Sequence, residues 1–404
     1  MTSVRSRRAC IAGVLTVLAA TLTNCVRPSV PMSPEVHRIG PAETRFATPV
    51  LDLPFRSVRG IPLLLVRING QGPFRVLLDT GAEVGAVLDP RVVRTLGLPD
   101  KGSTTVRGAA GETKTGVRVR HVQSLVLGDG EFRDVRVWEL DLSELERIAG
   151  TRFDGLLGLP LFSDCLLTIN YPDRRVRIER GALPDPDGRE TLPLDPERAT
   201  PVVRFTVGSV RIAALIDSGG IFDFQIPPDV VQGLAFSHGP VDGYLTRTFF
   251  ATHRRRMGRL SGDVVLGQHV FERPIVDVSG DDRARMGAQA LAPFTVTFDR
   301  RRHLVRFTRV TTDPILTPPL RGLGISTESG SGGPLIDDIV PGTPAAALDI
   351  QRGDRILTVD GHAIEKLSNA EVRRMMDERN ELVLVLRRGD QQVEVRVPVI
   401  DLVP

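Results

Sequence analysis

Two short segments carry an aspartate in the same setting. Leu77-Leu78-Asp79-Thr80-Gly81-Ala82 and Leu215-Ile216-Asp217-Ser218-Gly219-Gly220 each place an acid after two apolar residues, with a hydroxyl residue and a glycine behind it. One such triplet is weak evidence, because Asp and Gly are common in turns. Two copies 138 residues apart are a different matter. If the copies are related by a pseudo-two-fold axis, their carboxyl groups meet near that axis. Two carboxyl groups in contact cannot both ionise cheaply, so they hold one proton between them. Such a pair can activate a water with its ionised member and polarise a carbonyl with its protonated one. Thr80 and Ser218 then supply hydroxyls for hydrogen bonds across the junction. Gly81 and Gly219 let the backbone approach the acids.

The repeat extends beyond the acids. Leu88 and Pro90 match Ile226 and Pro228, and Val92-Val93 matches Val230-Val231. Leu125-Val126-Leu127-Gly128 matches Val264-Val265-Leu266-Gly267, and Gly158 to Asn170 matches Gly287 to Asp299. One β-rich unit therefore occurs twice, each copy of ordinary domain size. Each acid sits at the end of a buried strand, before an apolar residue, a proline and the start of a helix. Strand-like runs such as Leu63 to Val66 and Phe74 to Leu78, divided by the turn signal Asn69-Gly70, dominate this region.

Composition supports a soluble globular chain of two or three domains. The 404 residues are 41% hydrophobic and 25% charged, with a formal net charge of +3. Arg254-Arg255-Arg256 and Arg300-Arg301-Arg302 are its basic clusters. They lack interleaved aromatics, so a nucleic-acid partner is not expected. The seven histidines show no metal-ligand spacing, and neither a metal nor another cofactor is expected. Residues 1–25 read as a signal sequence: Arg5, Arg7 and Arg8 precede an apolar stretch from Ala9 to Leu22. Leu22-Thr23-Asn24-Cys25 resembles a bacterial lipobox, which would anchor the chain through a lipid on Cys25. The alternative is plain cleavage nearby. Either way the expected location is the bacterial cell envelope outside the cytoplasm. Cys165 remains as a lone cysteine with apolar flanks, read as a buried small hydrophobe.

The catalytic-loop segments, with Asp154-Gly155-Leu156-Leu157-Gly158-Leu159-Pro160, resemble the retropepsin-like aspartyl proteases of bacteria over roughly Pro54 to Thr308. That resemblance implies a mainly β, bilobal acid-protease fold, with residues 50–183 and 190–310 as lobes, while residues 26–49, rich in Pro and Ser, and 311–319, with Pro314, Pro318 and Pro319, read as linkers from their composition. It implies Asp79 and Asp217 as the catalytic dyad, supported by Thr80, Gly81, Ser218 and Gly219. Retropepsins usually pair two chains. Here both lobes lie in one chain, so a monomer is expected. Leu156-Leu157-Gly158 fits the apolar-apolar-Gly element beneath the first loop. Its second copy is Arg285-Met286-Gly287, where Arg285 stands at a usually apolar position. A hairpin flap closes over substrate in this family. Gly108 and Gly111 mark the candidate in the first lobe, and Tyr244, Phe249 and Phe250 are apolar tip candidates in the second.

The C-terminal region resembles a bacterial PDZ domain over residues 320–400, a small α+β unit. Arg321-Gly322-Leu323-Gly324-Ile325 carries the match, with Gly353-Asp354-Arg355-Ile356 and a helical run from Asn369. In that family Leu323, Gly324 and Ile325 offer backbone N–H groups to a peptide's C-terminal carboxylate, and the peptide adds as a strand. The helix bearing Val372, Met375 and Met376 would form the side-chain pocket. The expected activity is peptide-bond hydrolysis, with protein or peptide substrates positioned by this domain. The alternative is a catalytically silent peptide-binding scaffold that keeps both grooves.

Overall fold

The computed structural model describes residues 40–108, 112–247, 252–278, 283–328, 330 and 332–404. Cys25, Gly111, Phe249 and Phe250 lie outside the described residues.

Strands dominate, as the alternating and β-branched runs dictate. In the first repeat, Ile61–Ile68 and Gln71–Asp79 form a hairpin closed by Asn69 and Gly70, both at positive φ. The strand Gln71–Asp79 is the one that delivers Asp79. It is flanked on its other side by the parallel strand Gly155–Gly158, with Leu157 beside Leu78 and Gly158 beside Asp79. The second repeat builds the same pairing from Val210–Asp217 and Ala284–Gly287, with Gly287 beside Asp217. A nine-stranded and a ten-stranded sheet result.

The helices after the loops differ for a local reason. Pro90–Leu96 has Asp89 at its N-cap, where the side chain accepts from the Arg91 N–H. The second copy has Pro227 at that position, gains no side-chain cap, and spans only Pro228–Val231.

A six-stranded sheet joins the repeats. Its order runs Thr191–Pro193, Leu304–Thr308, Thr295–Asp299, Leu166–Asn170, Arg175–Glu179 and Val50–Pro54. Thr168 and Thr297, equivalent in the two repeats, lie directly opposite each other with their hydroxyls 2.9 Å apart. Equivalent residues facing each other are the mark of a two-fold axis passing between them. Buried side chains from both repeats form one apolar core, including Phe205, Phe224 and Phe271 in edge-on contact and Phe294 tilted against Phe271. Cys165 is buried in it as a free thiol.

Two segments read as linkers contribute strands. Glu43–Phe46, within 26–49, pairs with Gly130–Glu139. Ile315–Leu316, in the proline-rich connector, pairs with His269–Glu272. Each adds a strand to an open sheet edge, a role that sparse periodicity does not reveal. The C-terminal region has a six-stranded sheet of its own and the helix Asn369–Glu378. Ser368 and Glu371 start that helix with a reciprocal capping box. Met375 and Met376 pack on the core beneath it.

Candidate active site

The two catalytic-loop candidates come together and interlock. The Thr80 N–H donates to Ser218 Oγ at 2.9 Å, and the Ser218 N–H donates to Thr80 Oγ1 at 3.0 Å. Thr80 Oγ1 in turn donates to the Ile216 carbonyl at 2.7 Å, and Ser218 Oγ to the Leu78 carbonyl at 2.8 Å. Each hydroxyl thus accepts from the opposite loop and donates to the strand end behind it. Both side chains are fully buried, so all four bonds are formed away from water.

This clasp brings the acids together. Gly81 N–H donates to Asp79 Oδ1 at 2.9 Å, and Gly219 N–H donates to Asp217 Oδ1 at 3.1 Å. Asp79 and Asp217 are within hydrogen-bonding reach of each other. A Cβ on Gly219 would lie 2.6 Å from Asp79 Cγ, and one on Gly81 would lie 2.9 Å from Asp217 Oδ1. Any side chain at either glycine would push the opposite acid away. Burial, then the negative charge of Asp217, lifts the Asp79 carboxyl to about 7, against the Gly81 N–H that favours its ionised form. One proton therefore stays on the pair at pH values where a free aspartate has lost its own.

Two nearby residues, Arg285 and Tyr171, and one recess were not expected at the site. Arg285 is buried, with Nη1 3.5 Å from Asp217 Oδ2. Its place in the sequence marked it as a departure from an apolar pattern. That it reaches the dyad follows from register, because Arg285 is paired with Leu215 and residues 215 and 217 share a strand face. Tyr171 lies beneath the loops, and burial followed by the Asp217 carboxylate pushes its hydroxyl up. Glu83, Val84, Thr104, Thr105 and Trp138 line a recess beside the first loop, of a kind that could take a side chain.

The flap candidates divide. Asp100–Arg107 and Thr113–Leu127 pair as a hairpin, and the Gly108 N–H donates to the Glu112 carbonyl at 2.7 Å near its end. Phe236–Arg247 and Thr252–Leu260 form the second hairpin. Tyr244 does not lie at an apolar tip. It sits within the strand, and its hydroxyl reaches the C-terminal module. A Cβ on Gly322 would come within 1.9 Å of Tyr244 Oη, and burial pushes that hydroxyl's pKa up, against the nearby Gly324 N–H. The Leu245 N–H donates to Ser326 Oγ at 3.2 Å, Arg254 Nη2 is 2.7 Å from Asp338 Oδ2, and Arg147 pairs with Glu328. The segment Leu323-Gly324-Ile325 thus leads into the edge strand Ile325–Glu328, with the Tyr244 hydroxyl beside it.

Among the described residues, no three His, Cys, Asp or Glu side chains are grouped so as to hold a metal ion.

Residues 64–161 match the family model described as aspartyl protease, and residues 314–387 match that of the PDZ domain. Among solved structures, a retropepsin-like aspartic protease from Rickettsia conorii is 19% identical, covering 34% of this chain and 94% of that one, with a TM-score of 0.25. A PDZ domain protein from Parabacteroides distasonis is 22% identical over 21% of each chain, with a TM-score of 0.19. No curated protein matches. The chain combines a mainly β, retropepsin-like aspartyl-protease region with a PDZ domain.

Proposed function

We infer that this chain is an aspartic endopeptidase whose one active site is built from both repeats. The observation that carries the reading is the reciprocal clasp between Thr80 and Ser218, which presents two carboxyl groups to one spot. A water between them loses a proton to the ionised carboxylate as its oxygen attacks the peptide carbonyl carbon. The protonated carboxyl stabilises the oxygen that gains charge. The tetrahedral intermediate then collapses as the amide nitrogen takes a proton and the C–N bond breaks. The products are an acid and an amine. No side chain becomes covalently attached. A second copy of the chain is not needed to complete this site, which favours a monomer. Purified full chain incubated with a peptide library at several pH values should release new amino termini. Release at no pH would favour a silent peptide binder.

The PDZ groove is the second element of the proposal, as the place where protein substrates are held by a free C-terminus. Export and a lipid on Cys25 belong to it as well, on the strength of residues 1–25 alone. Because the Tyr244 hydroxyl stands against Gly322 beside the Gly324 N–H, it would compete with a peptide carboxylate for that place. Tyr244→Phe removes the competing hydroxyl and keeps the ring. It should tighten binding of apolar-tailed peptides with free C-termini by about fivefold, the worth of roughly one hydrogen bond. Fluorescence anisotropy with free and amidated versions of each peptide checks this. Equal gains for both versions would show that the carboxylate is not what the loop reads.

A further inference from the structure

The pseudo-two-fold makes each repeat a control for the other. In the first repeat a row of paired residues runs across the sheet below Asp79. Leu77 lies beside Leu156, Leu156 beside Val87, and Val87 beside Trp138. The equivalent row below Asp217 is Leu215 beside Arg285, Arg285 beside Gln225, and Gln225 beside Asp277. Three apolar positions in one repeat are therefore an arginine, an amide and an acid in the other. Arg285 is only 7% exposed and Asp277 only 4%. Arg255 on the neighbouring strand pairs with Asp277. Burying these charges is costly. The fold does not require them, since the first repeat builds the same strands from Leu156, Val87 and Trp138.

The row has a consequence at the dyad. Asp79 and Asp217 are alike in their strand ends, their glycine N–H donors and their clasping hydroxyls. They differ in what stands two residues before the paired glycine. Below Asp79 it is the methyl groups of Leu156. Below Asp217 it is a guanidinium, with Nη1 3.5 Å from Oδ2. Among the described residues, the ionisable groups recorded against Asp217 are Asp79, Arg285 and the phenol of Tyr171, and of these the arginine is the cation.

We propose that Arg285 is the positioning residue that divides the labour of the dyad, holding Asp217 as the ionised member that takes the proton from water and leaving Asp79 as the member that carries the proton to the carbonyl. This rests on the peptidase reading. A symmetric pair would place its proton on either acid. The buried arginine removes that degeneracy, so the pair is set for one direction of attack before substrate arrives.

The sign of the pH effect follows. A cation beside the pair favours loss of its first proton, and so extends activity to lower pH. Removing it moves the acid limb of the rate profile upward. The alkaline limb also moves upward, but less, because burial and the charge of Asp217 outweigh Arg285 in holding the proton on Asp79.

The test uses the full chain and its Arg285→Leu, Arg285→Gln and Arg285→Lys variants. Rates are measured from about pH 3 to about pH 9 beside thermal melts, since the limbs of such a profile report the essential acid and base. Arg285→Leu, which copies Leu156, should raise the acid limb by about one unit or more. Arg285→Gln should do the same and covers the case in which the leucine variant does not fold. Arg285→Lys should stay near the wild-type limb. An acid limb that stays put in a folded leucine or glutamine variant overturns the proposal. If the wild type cleaves nothing, the peptidase reading fails separately, and carbon-13 carboxyl spectra still decide the role of Arg285. With signals assigned by Asp79→Asn and Asp217→Asn, the wild type near neutrality should show Asp217 ionised and Asp79 protonated. Arg285→Gln should lose that preference. A proton resident on Asp217 in the wild type would sink the assignment whatever the activity.

Discussion

Asp79→Asn and Asp217→Asn are each expected to lower peptide cleavage to the limit of detection, by at least about 10³-fold. General acid–base catalysis by one group contributes roughly 10²–10⁴-fold, and here each acid serves the attack and the collapse alike. An amide keeps the size and still accepts the Gly81 or Gly219 N–H, so the loops should stay clasped. The two losses should not add in the double variant, because the acids act as one unit. Turnover near the wild-type rate in either single variant would separate the two loops functionally. Asp79→Asn carries a second expected result. An acid whose folded pKa is raised contributes stability that is present below the unfolded value and is lost as pH rises through the folded one. For Asp79 that window runs from the ordinary carboxyl value of 3.8 up to about 7. Asparagine has no proton to lose. The variant should therefore melt progressively higher relative to wild type as pH is raised across that window.

The second large effect concerns the clasp. Thr80→Val keeps the shape and removes the hydroxyl. The Ser218 N–H then loses its acceptor and the Ile216 carbonyl loses its donor, both in a buried site. Each unsatisfied buried group costs about 1–3 kcal/mol, so the variant should lose a few kcal/mol and melt several degrees lower. Ser218→Ala should behave alike through the Thr80 N–H and the Leu78 carbonyl. The double variant should lose less than the sum, since the four bonds form one network. Additive losses in calorimetric melts would mean that the two hydroxyls do not cooperate.

Much of this site is legible in the sequence because it repeats. The ungapped match around Asp79 and Asp217 already pairs Thr80 with Ser218 and Gly81 with Gly219, and a two-fold axis turns equivalence into contact. The facing of Thr168 and Thr297 in the shared sheet follows from the same logic. What the repeat does not show is contact across unlike elements. Arg285 stands out as a polar residue in an apolar slot, yet its reach to Asp217 depends on its register with Leu215 across two strands. Tyr244 reads as an aromatic near a hairpin tip. Its partner, the Gly322 to Gly324 segment, is almost eighty residues away in a separate motif. The strands Glu43–Phe46 and Ile315–Leu316 are too short to show alternation, so proline-rich surroundings hide them.

The central claim, that one catalytic site is made by both loops of a single chain, is tested most directly by titrating the full chain with a peptide inhibitor that mimics the tetrahedral intermediate through a central hydroxyl. Calorimetry should show one inhibitor bound per chain, with binding abolished equally by Asp79→Asn and by Asp217→Asn. Tight binding retained by either variant, or one inhibitor per two chains, would contradict it.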